Sequence, residues 1–400
     1  SSAASDVYKR QNIKLYRLLL FTLISFSFTS MAQNLENSIN EIKKEYAPDK
    51  RIAVFEISGE KVSDDHYILK GKSDNPQAVR ALENKLNEEN IPYSSYIKIL
   101  PDNRLGDKNW GIVTLCCAHL REKPAHASEM VTQAIMGTPV KILEKKGGWY
   151  RIQTPDSYIS WIPASSLSLK TQDEMAAWRK SERYIYTGYH GHIWEQTDKY
   201  NSAPVSDIVL GCILEISQTP KSTRDKLYVT LPDGRQGYIN RSETKEFDKW
   251  ASQPLDMNKI EKTARSMMGV TYLWGGTSVK GVDCSGFVKT NYFANGVILS
   301  RDASQQALAG NKNIPEKWKE CQLGDLLFFG NENGRVTHVA MYLRNGEYIH
   351  SSGYVKINSV DPSAQNYLTT PFLSTTRIKT ALNTPGIIQV KDHDWYFDRK

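Results

Sequence analysis

Several absences narrow what this 400-residue sequence encodes. A large surplus of one charge is missing: Lys and Arg total 51 against 44 Asp and Glu, a formal charge of +7. Over 400 residues that excess is too small to indicate nucleic-acid binding. No apolar run after residue 28 is long enough to span a membrane, so stable membrane insertion is not expected. No cysteine follows the apolar run near the N-terminus, which argues against a lipid-anchored lipoprotein. A mainly disordered chain is excluded, because charged residues make up only 24% and aromatics reach 10%. The length excludes a single small module and suffices for two to four domains with real cores.

The N-terminal region indicates a compartment. Lys14 and Arg17 precede the apolar run Leu18 to Phe28, and Ser30-Met31-Ala32 places small residues where a signal peptidase reads. Eleven helical residues rise about 16 Å, roughly half a hydrocarbon core, so the run reads as a secretory signal cleaved before Gln33. Residues 1–32 are therefore expected to be a signal peptide with a doubtful leader, and the mature chain to be periplasmic or extracellular.

The rest divides by texture. Residues 33–104 read as an α+β segment without a catalytic signature: Arg51 to Ile57 and Tyr96 to Leu100 alternate, and Ala78 to Leu86 has helical spacing. An internal repeat follows. Trp149 to Ile162 and Leu227 to Ile239 are short alternating strands around a Pro-Asp turn, led by Gly137-Thr138-Pro139-Val140 and Gly211-Cys212-Ile213-Leu214. Hairpins of this kind curl into small barrels and resemble bacterial SH3-like domains, assigned to residues 105–170 and 171–250. Glu174 to Lys180 reads as a linker helix at the start of the second. Residues 251–400 form the last region, where Asp256 caps a helix from Met257 that stops at Gly269. The aromatic tail Lys391 to Lys400 is expected to pack back onto the body.

The chemistry concentrates in that last region. Gly281-Val282-Asp283-Cys284-Ser285-Gly286 ends a Gly-rich loop and opens a helix, so Cys284 lies in the first turn, where the helix terminus favours thiolate. Asp283 reads most simply as the cap. A lone cysteine is usually a small buried hydrophobe, so the case depends on a base and an orienter for that base. His338 and His350 lie on consecutive strands joined by Arg344-Asn345-Gly346. A two-residue loop would put the imidazoles on opposite faces. A three-residue loop with Gly346 left-handed pairs Leu343 with Glu347 and leaves His338 diagonal to His350, and this register is expected.

Taken together, these residues resemble the NlpC family of papain-like cell-wall cysteine peptidases. The resemblance rests on Asp283-Cys284-Ser285-Gly286-Phe287, the Gly324 to Phe329 strand, the His338 to Tyr342 strand and a polar residue twelve positions after His338. The paired SH3-like copies match one subgroup. The implied architecture is multi-domain α+β: an N-terminal α+β segment, two SH3-like barrels and a papain-like catalytic domain. The implied activity is hydrolysis of the γ-D-glutamyl bond to the diamino acid in cell-wall stem peptides with a free N-terminal L-alanine.

In such enzymes Cys284, His338 and His350 form the triad, and a tyrosine placed like Tyr272 supports the oxyanion; Tyr272 also reads as a packed loop aromatic. Asp302 would bind the substrate ammonium, assisted by Glu129 and Tyr158 from the first SH3-like copy, which then blocks the site rather than anchoring the protein to the wall. Asp302 reads equally as a helix cap. Trp274, Asp283 and Ser285 flank the nucleophile as further substrate contacts, although packing or capping serves as well.

No cofactor or metal is required, and the spacings of 54 and 12 between Cys284, His338 and His350 match no usual zinc pattern. Tyr189-His190-Gly191-His192 lacks a third ligand. Cys116, Cys117, Cys212 and Cys321 permit at most two bridges and give no connectivity. The expected partner is the stem peptide L-Ala-γ-D-Glu-diamino acid, acted on by a monomer. The rival readings are a non-catalytic wall-binding protein and a Cys-His acyltransferase on the same fold.

Overall fold

The computed structural model describes residues 33–63, 66–217, 219, 222–310 and 318–398. The expected signal segment and leader, residues 1–32, lie outside the described residues. The chain divides at Asn103 and Arg104 into two units.

In the first unit residues 33–46 are helical (α1). There follow β1 (Phe55–Ser63), β2 (His66–Ser73), α2 (Pro76–Glu88) and β3 (Tyr93–Ile99), with strand order β1-β2-β3. The crossover through α2 makes β2 and β3 parallel. Asn75 caps α2 through its side chain, and Ala78, Val79, Leu82 and Leu86 bury one helical stripe against Leu69 and Phe55. The first strand starts later than Arg51, where alternation begins. Asp49 accepts from the Arg51 N–H and pairs with its guanidinium, which holds that segment in a turn.

The second unit begins with two barrels of one topology. The first contains β4 (Trp110–Val113), β5 (Cys117–Arg121), β6 (Met130–Ile135), β7 (Pro139–Lys146), β8 (Trp149–Gln153), β9 (Ile159–Pro163) and β10 (Leu167–Lys170), in the order β10-β4-β7-β8-β9-β5-β6. Helix α3 (Gln172–Lys180) follows, held by a Thr171–Glu174 capping box. The second barrel contains β11 (Arg183–Tyr186), β12 (His190–Trp194), β13 (Pro204–Val209), β14 (Ile213–Ile216), β15 (Lys226–Thr230), β16 (Gln236–Asn240) and β17 (Thr244–Glu246). Its order, β13-β12-β16-β15-β14-β11-β17, is the first barrel's order strand for strand, read from the other edge. The sequence repeat is thus a repeat of architecture.

The remainder forms the third layer of the same unit. After α4 (Phe247–Ala251) and α5 (Met257–Ser266), the small strands β18 (Thr277–Ser278) and β19 (Gly281–Val282) lead into α6 (Cys284–Phe293). Then come β20 (Val297–Leu299), α7 (Ala303–Gln306), β21 (Leu326–Gly330), β22 (Val336–Tyr342), β23 (Glu347–Ser352), β24 (Tyr354–Ser359), β25 (Phe372–Thr376) and β26 (Ile387–Gln389). Strands β24-β23-β22-β21-β25 make one antiparallel sheet. Most of α6 is buried, because it lies between this sheet and the barrels, so it shows no single apolar stripe.

The aromatic tail packs back. Tyr396 is 1% exposed and shares a cluster with Trp178, Phe247 and Trp250. The guanidinium of buried Arg183 lies 4.5 Å from the Trp178 ring centre, 4.6 Å from Phe247 and 5.5 Å from Phe397. The tail therefore ties the linker helix and second barrel to the last domain.

Candidate active site

The first turn of α6 sets the position of Cys284. Asp283 caps it, Oδ1 accepting from the Gly286 N–H at 2.7 Å, while Oδ2 accepts from the Gly275 N–H at 3.0 Å. A Cβ on Gly286 would lie 1.9 Å from the Gly276 carbonyl oxygen. Only glycine there lets the Gly-rich loop close over the helix start. The backbone N–H groups of Ser285 and Val339 are aimed at the Cys284 sulfur. Val339 follows His338, so the thiol lies against the histidine strand.

The hairpin has the expected three-residue loop. Met341 pairs with Ile349 and Tyr342 with Tyr348, and the Leu343 N–H donates to the Glu347 carbonyl at 2.8 Å. Gly346 has φ +82°, the left-handed conformation this loop needs. His338 and His350 then share a face, with His338 Nε2 2.7 Å from His350 Nδ1. Beyond them His350 Nε2 lies 2.9 Å from Asn358 Oδ1 on β24. The Ser351 hydroxyl donates to the Val282 carbonyl at 2.8 Å, which pins β23 to the segment entering α6.

Burial sets the charge state of these groups. It pushes the Cys284 thiol up to about 11, with the negative charge of Asp283 adding to the effect. It pulls His338 down to about 3, with His350 and Lys356 adding to the shift, and His350 down to about 4. Desolvation thus opposes the thiolate that the helix terminus favours, and it disfavours the charged form of both imidazoles. Burial also pushes Tyr272 up to about 12, the nearby Cys284 contributing next, so its phenol remains a proton donor.

Two expected substrate contacts are buried and held by other side chains. Asp283 is buried, with both oxygens taken by the cap, by Gly275 and by Arg301, whose Nη2 lies 2.5 Å from Oδ2. Ser285 is buried too, donating to Asp283 at 3.2 Å and accepting from Arg301 Nη1 at 3.0 Å. Arg301, which sequence reasoning passed over, is 1% exposed and also donates through Nε to Thr132 of β6 at 2.8 Å. Burial opposes its charge, but Asp283 more than offsets that and holds it above the ordinary guanidinium range.

The first barrel forms one wall. The Thr277 N–H donates to the Gln133 side chain at 2.9 Å, and Trp274 Nε1 donates to Glu129 at 2.7 Å. Trp274 is 62% exposed, so this pair rims the open side. Asp302 caps α7 in a capping box with Gln305, and its Oδ1 lies 3.9 Å from Arg301 Nη1. Tyr158 is buried within electrostatic reach of Arg301. Arg301 thus links Asp283, Ser285, Asp302 and the first barrel. Among the described residues no three His, Cys, Asp or Glu side chains group to hold a metal ion, and no helix is long and apolar enough to cross a membrane.

Residues 269–377 match the NlpC/P60 family, and residues 120–167 match the bacterial dipeptidyl-peptidase SH3 domain. The chain carries an NlpC/P60 domain behind a dipeptidyl-peptidase SH3 domain. A gamma-D-glutamyl-L-lysine dipeptidyl-peptidase of Bacillus cereus is 28% identical, over 66% of this chain and 74% of that protein. Dipeptidyl-peptidase 6 of Lysinibacillus sphaericus is 28% identical, over 62% of this chain and 91% of that protein. A crystal structure of an NlpC/P60 family protein from Bacillus cereus superposes with a TM-score of 0.56, covering 67% of this chain and 99% of that one at 21% identity, which shows a shared fold. The NlpC/P60 match spans Cys284, His338, His350 and Asn358, and the SH3 match spans Glu129, Gln133 and Tyr158.

Proposed function

We propose that the chain is an exported cysteine peptidase that hydrolyses the γ-D-glutamyl bond to the diamino acid in cell-wall stem peptides, releasing L-Ala-γ-D-Glu. The observation that carries this reading is the thiol at the start of α6 lying against the His338 strand, with His338 Nε2 2.7 Å from His350. The names of the dipeptidyl-peptidase relatives, matched over most of their length, support the substrate class.

Cys284 passes its proton to His338 as its sulfur attacks the γ-carbonyl carbon. The Cys284 N–H and the Tyr272 hydroxyl donate to the oxyanion. His338 returns the proton to the leaving amine, and the C–N bond breaks to give a thioester. His338 then takes a proton from water, whose oxygen attacks the thioester carbonyl and restores the thiol. Glu129 and Asp302 supply negative charge for the substrate ammonium, so a stem still acylated by sugar is disfavoured.

The test is mass spectrometry of products from L-Ala-γ-D-Glu-diamino acid peptides. Wild-type protein should release L-Ala-γ-D-Glu, and Cys284→Ala should release none. Retained turnover in that variant excludes the mechanism. Acetylating the substrate N-terminus should abolish or sharply reduce cleavage, and unchanged cleavage removes the role given to Asp302. Export is checked by sequencing the N-terminus of the mature protein from a secreting host, with Gln33 the expected first residue.

A further inference from the structure

One hydrogen-bond chain in the site fixes its own direction. The Asn358 side-chain amide donates through Nδ2 to the Asn366 carbonyl at 2.8 Å. A carbonyl can only accept, so the amide nitrogen must face it and Oδ1 must face His350. That oxygen can only accept as well, so His350 Nε2, 2.9 Å away, carries a proton. In a neutral ring His350 Nδ1 is then the acceptor, and His338 Nε2, 2.7 Å from it, is the donor. The lone pair of His338 is left on Nδ1.

We infer that Asn358 is a positioning residue that sets the tautomers of both histidines and so leaves Nδ1 of His338 free to take a proton. This deepens the proposed peptidase function and rests on it for the step in which Cys284 gives up that proton. The backbone supports the arrangement. His350 pairs with Lys356 across β23 and β24, which puts Asn358 diagonal to His350. The Ser359 N–H donates to the same Asn366 carbonyl at 3.1 Å, so the acceptor that orients Asn358 is held by the main chain. Lys356 on β24 acts on both rings, the Tyr348 ring lies 5.0 Å from the His350 ring centre and the Phe329 ring 6.0 Å from that of His338. The acceptor at His350 Nε2 is Asn358 Oδ1.

The experiment uses the full chain with ring-15N histidine and long-range proton–nitrogen correlation, assigned with His338→Gln. Both rings should be neutral near pH 7 and protonated at Nε2. Finding either ring protonated at Nδ1 in the wild type overturns the inference without reference to turnover. In Asn358→Leu, which is similar in size but has no acceptor, His350 should populate the Nδ1–H form. The value of kcat should fall about tenfold, the worth of one such hydrogen bond, with KM little changed. Asn358→Asp keeps an acceptor and should retain the Nε2–H signature and more activity than Asn358→Leu. If Asn358→Leu does not fold, the wild-type and Asn358→Asp spectra still decide. An unchanged His350 signature and kcat in folded Asn358→Leu also overturn the inference. Loss of the peptidase reading itself is separately visible as turnover retained in Cys284→Ala.

Discussion

At Cys284 two opposing effects act on one sulfur atom. The N-terminus of α6 favours the anion, whereas burial and the neighbouring Asp283 push the thiol up to about 11. The histidines follow the same rule with the opposite sign, because for them the charged form is the protonated one. In the unfolded chain they take up protons near 6.5, but in the folded chain His350 does so only near 4 and His338 near 3. Between those limits the unfolded state binds more protons, so stability present above about 6.5 is lost as the pH falls towards 3. Urea midpoints should therefore drop from pH 7 to pH 4.5 and drop less in His350→Gln. Equal slopes in the two proteins would contradict the burial of a neutral ring. The acid limb of kcat/KM should likewise lie below the ordinary imidazole value.

At the scale of elements, the hairpin and α6 were legible because each rests on a local rule. Loop length with a left-handed glycine gives the β22–β23 register, and that register alone brings His338 to His350. The cap at Asp283 and the glycines around it mark the start of α6. Asn358 was within reach of the same reasoning, since a turn at Gly353 pairs His350 with Lys356 and makes Asn358 diagonal, but the alternation of Val355 and Ile357 with Lys356 and Asn358 does not by itself say which polar residue meets His350.

Arg301 was not legible. Its partners Asp283 and Thr132 are 18 and 169 residues away, and no periodicity links them. Helix α1 adjoins the segment expected to be cleaved, and the helix that Asp302 caps is short, Ala303–Gln306. The closest packing in α6 supplies a sharper prediction. Gly286→Ala must move either the Gly276 carbonyl or the first turn, which costs about 1–3 kcal/mol as overpacking does elsewhere. Thermal unfolding and turnover of the variant would check this, and both should fall, because the displaced turn carries Cys284.

Across the whole molecule, the candidate site is walled by a domain other than the one that holds Cys284. Strand β6 of the first barrel runs beside β18, its Thr132 and Gln133 bonded to Arg301 and Thr277, while the second barrel is tied to the catalytic domain through the tail. A wall-anchoring barrel would leave such a rim open; here Glu129 reaches it and is held by Trp274. Glu129 is exposed, so its attraction for a substrate ammonium is screened and worth about 0.2–1 kcal/mol, a factor of about five at most. Asp302 is less exposed, at 27% of its side chain, and a charge-assisted hydrogen bond there is worth about 1.5–3 kcal/mol, a factor of about ten to a hundred.

Glu129→Gln keeps an acceptor for Trp274 and removes only the charge. It should raise KM for a free L-Ala stem no more than about fivefold and leave kcat alone, while Asp302→Asn raises KM by the larger factor. Steady-state assays on free and N-acetylated stems separate the two effects, because neither variant should weaken whatever residual cleavage the acetylated stem shows. Equal losses on both substrates would mean that the barrel shapes the cleft without reading the amine.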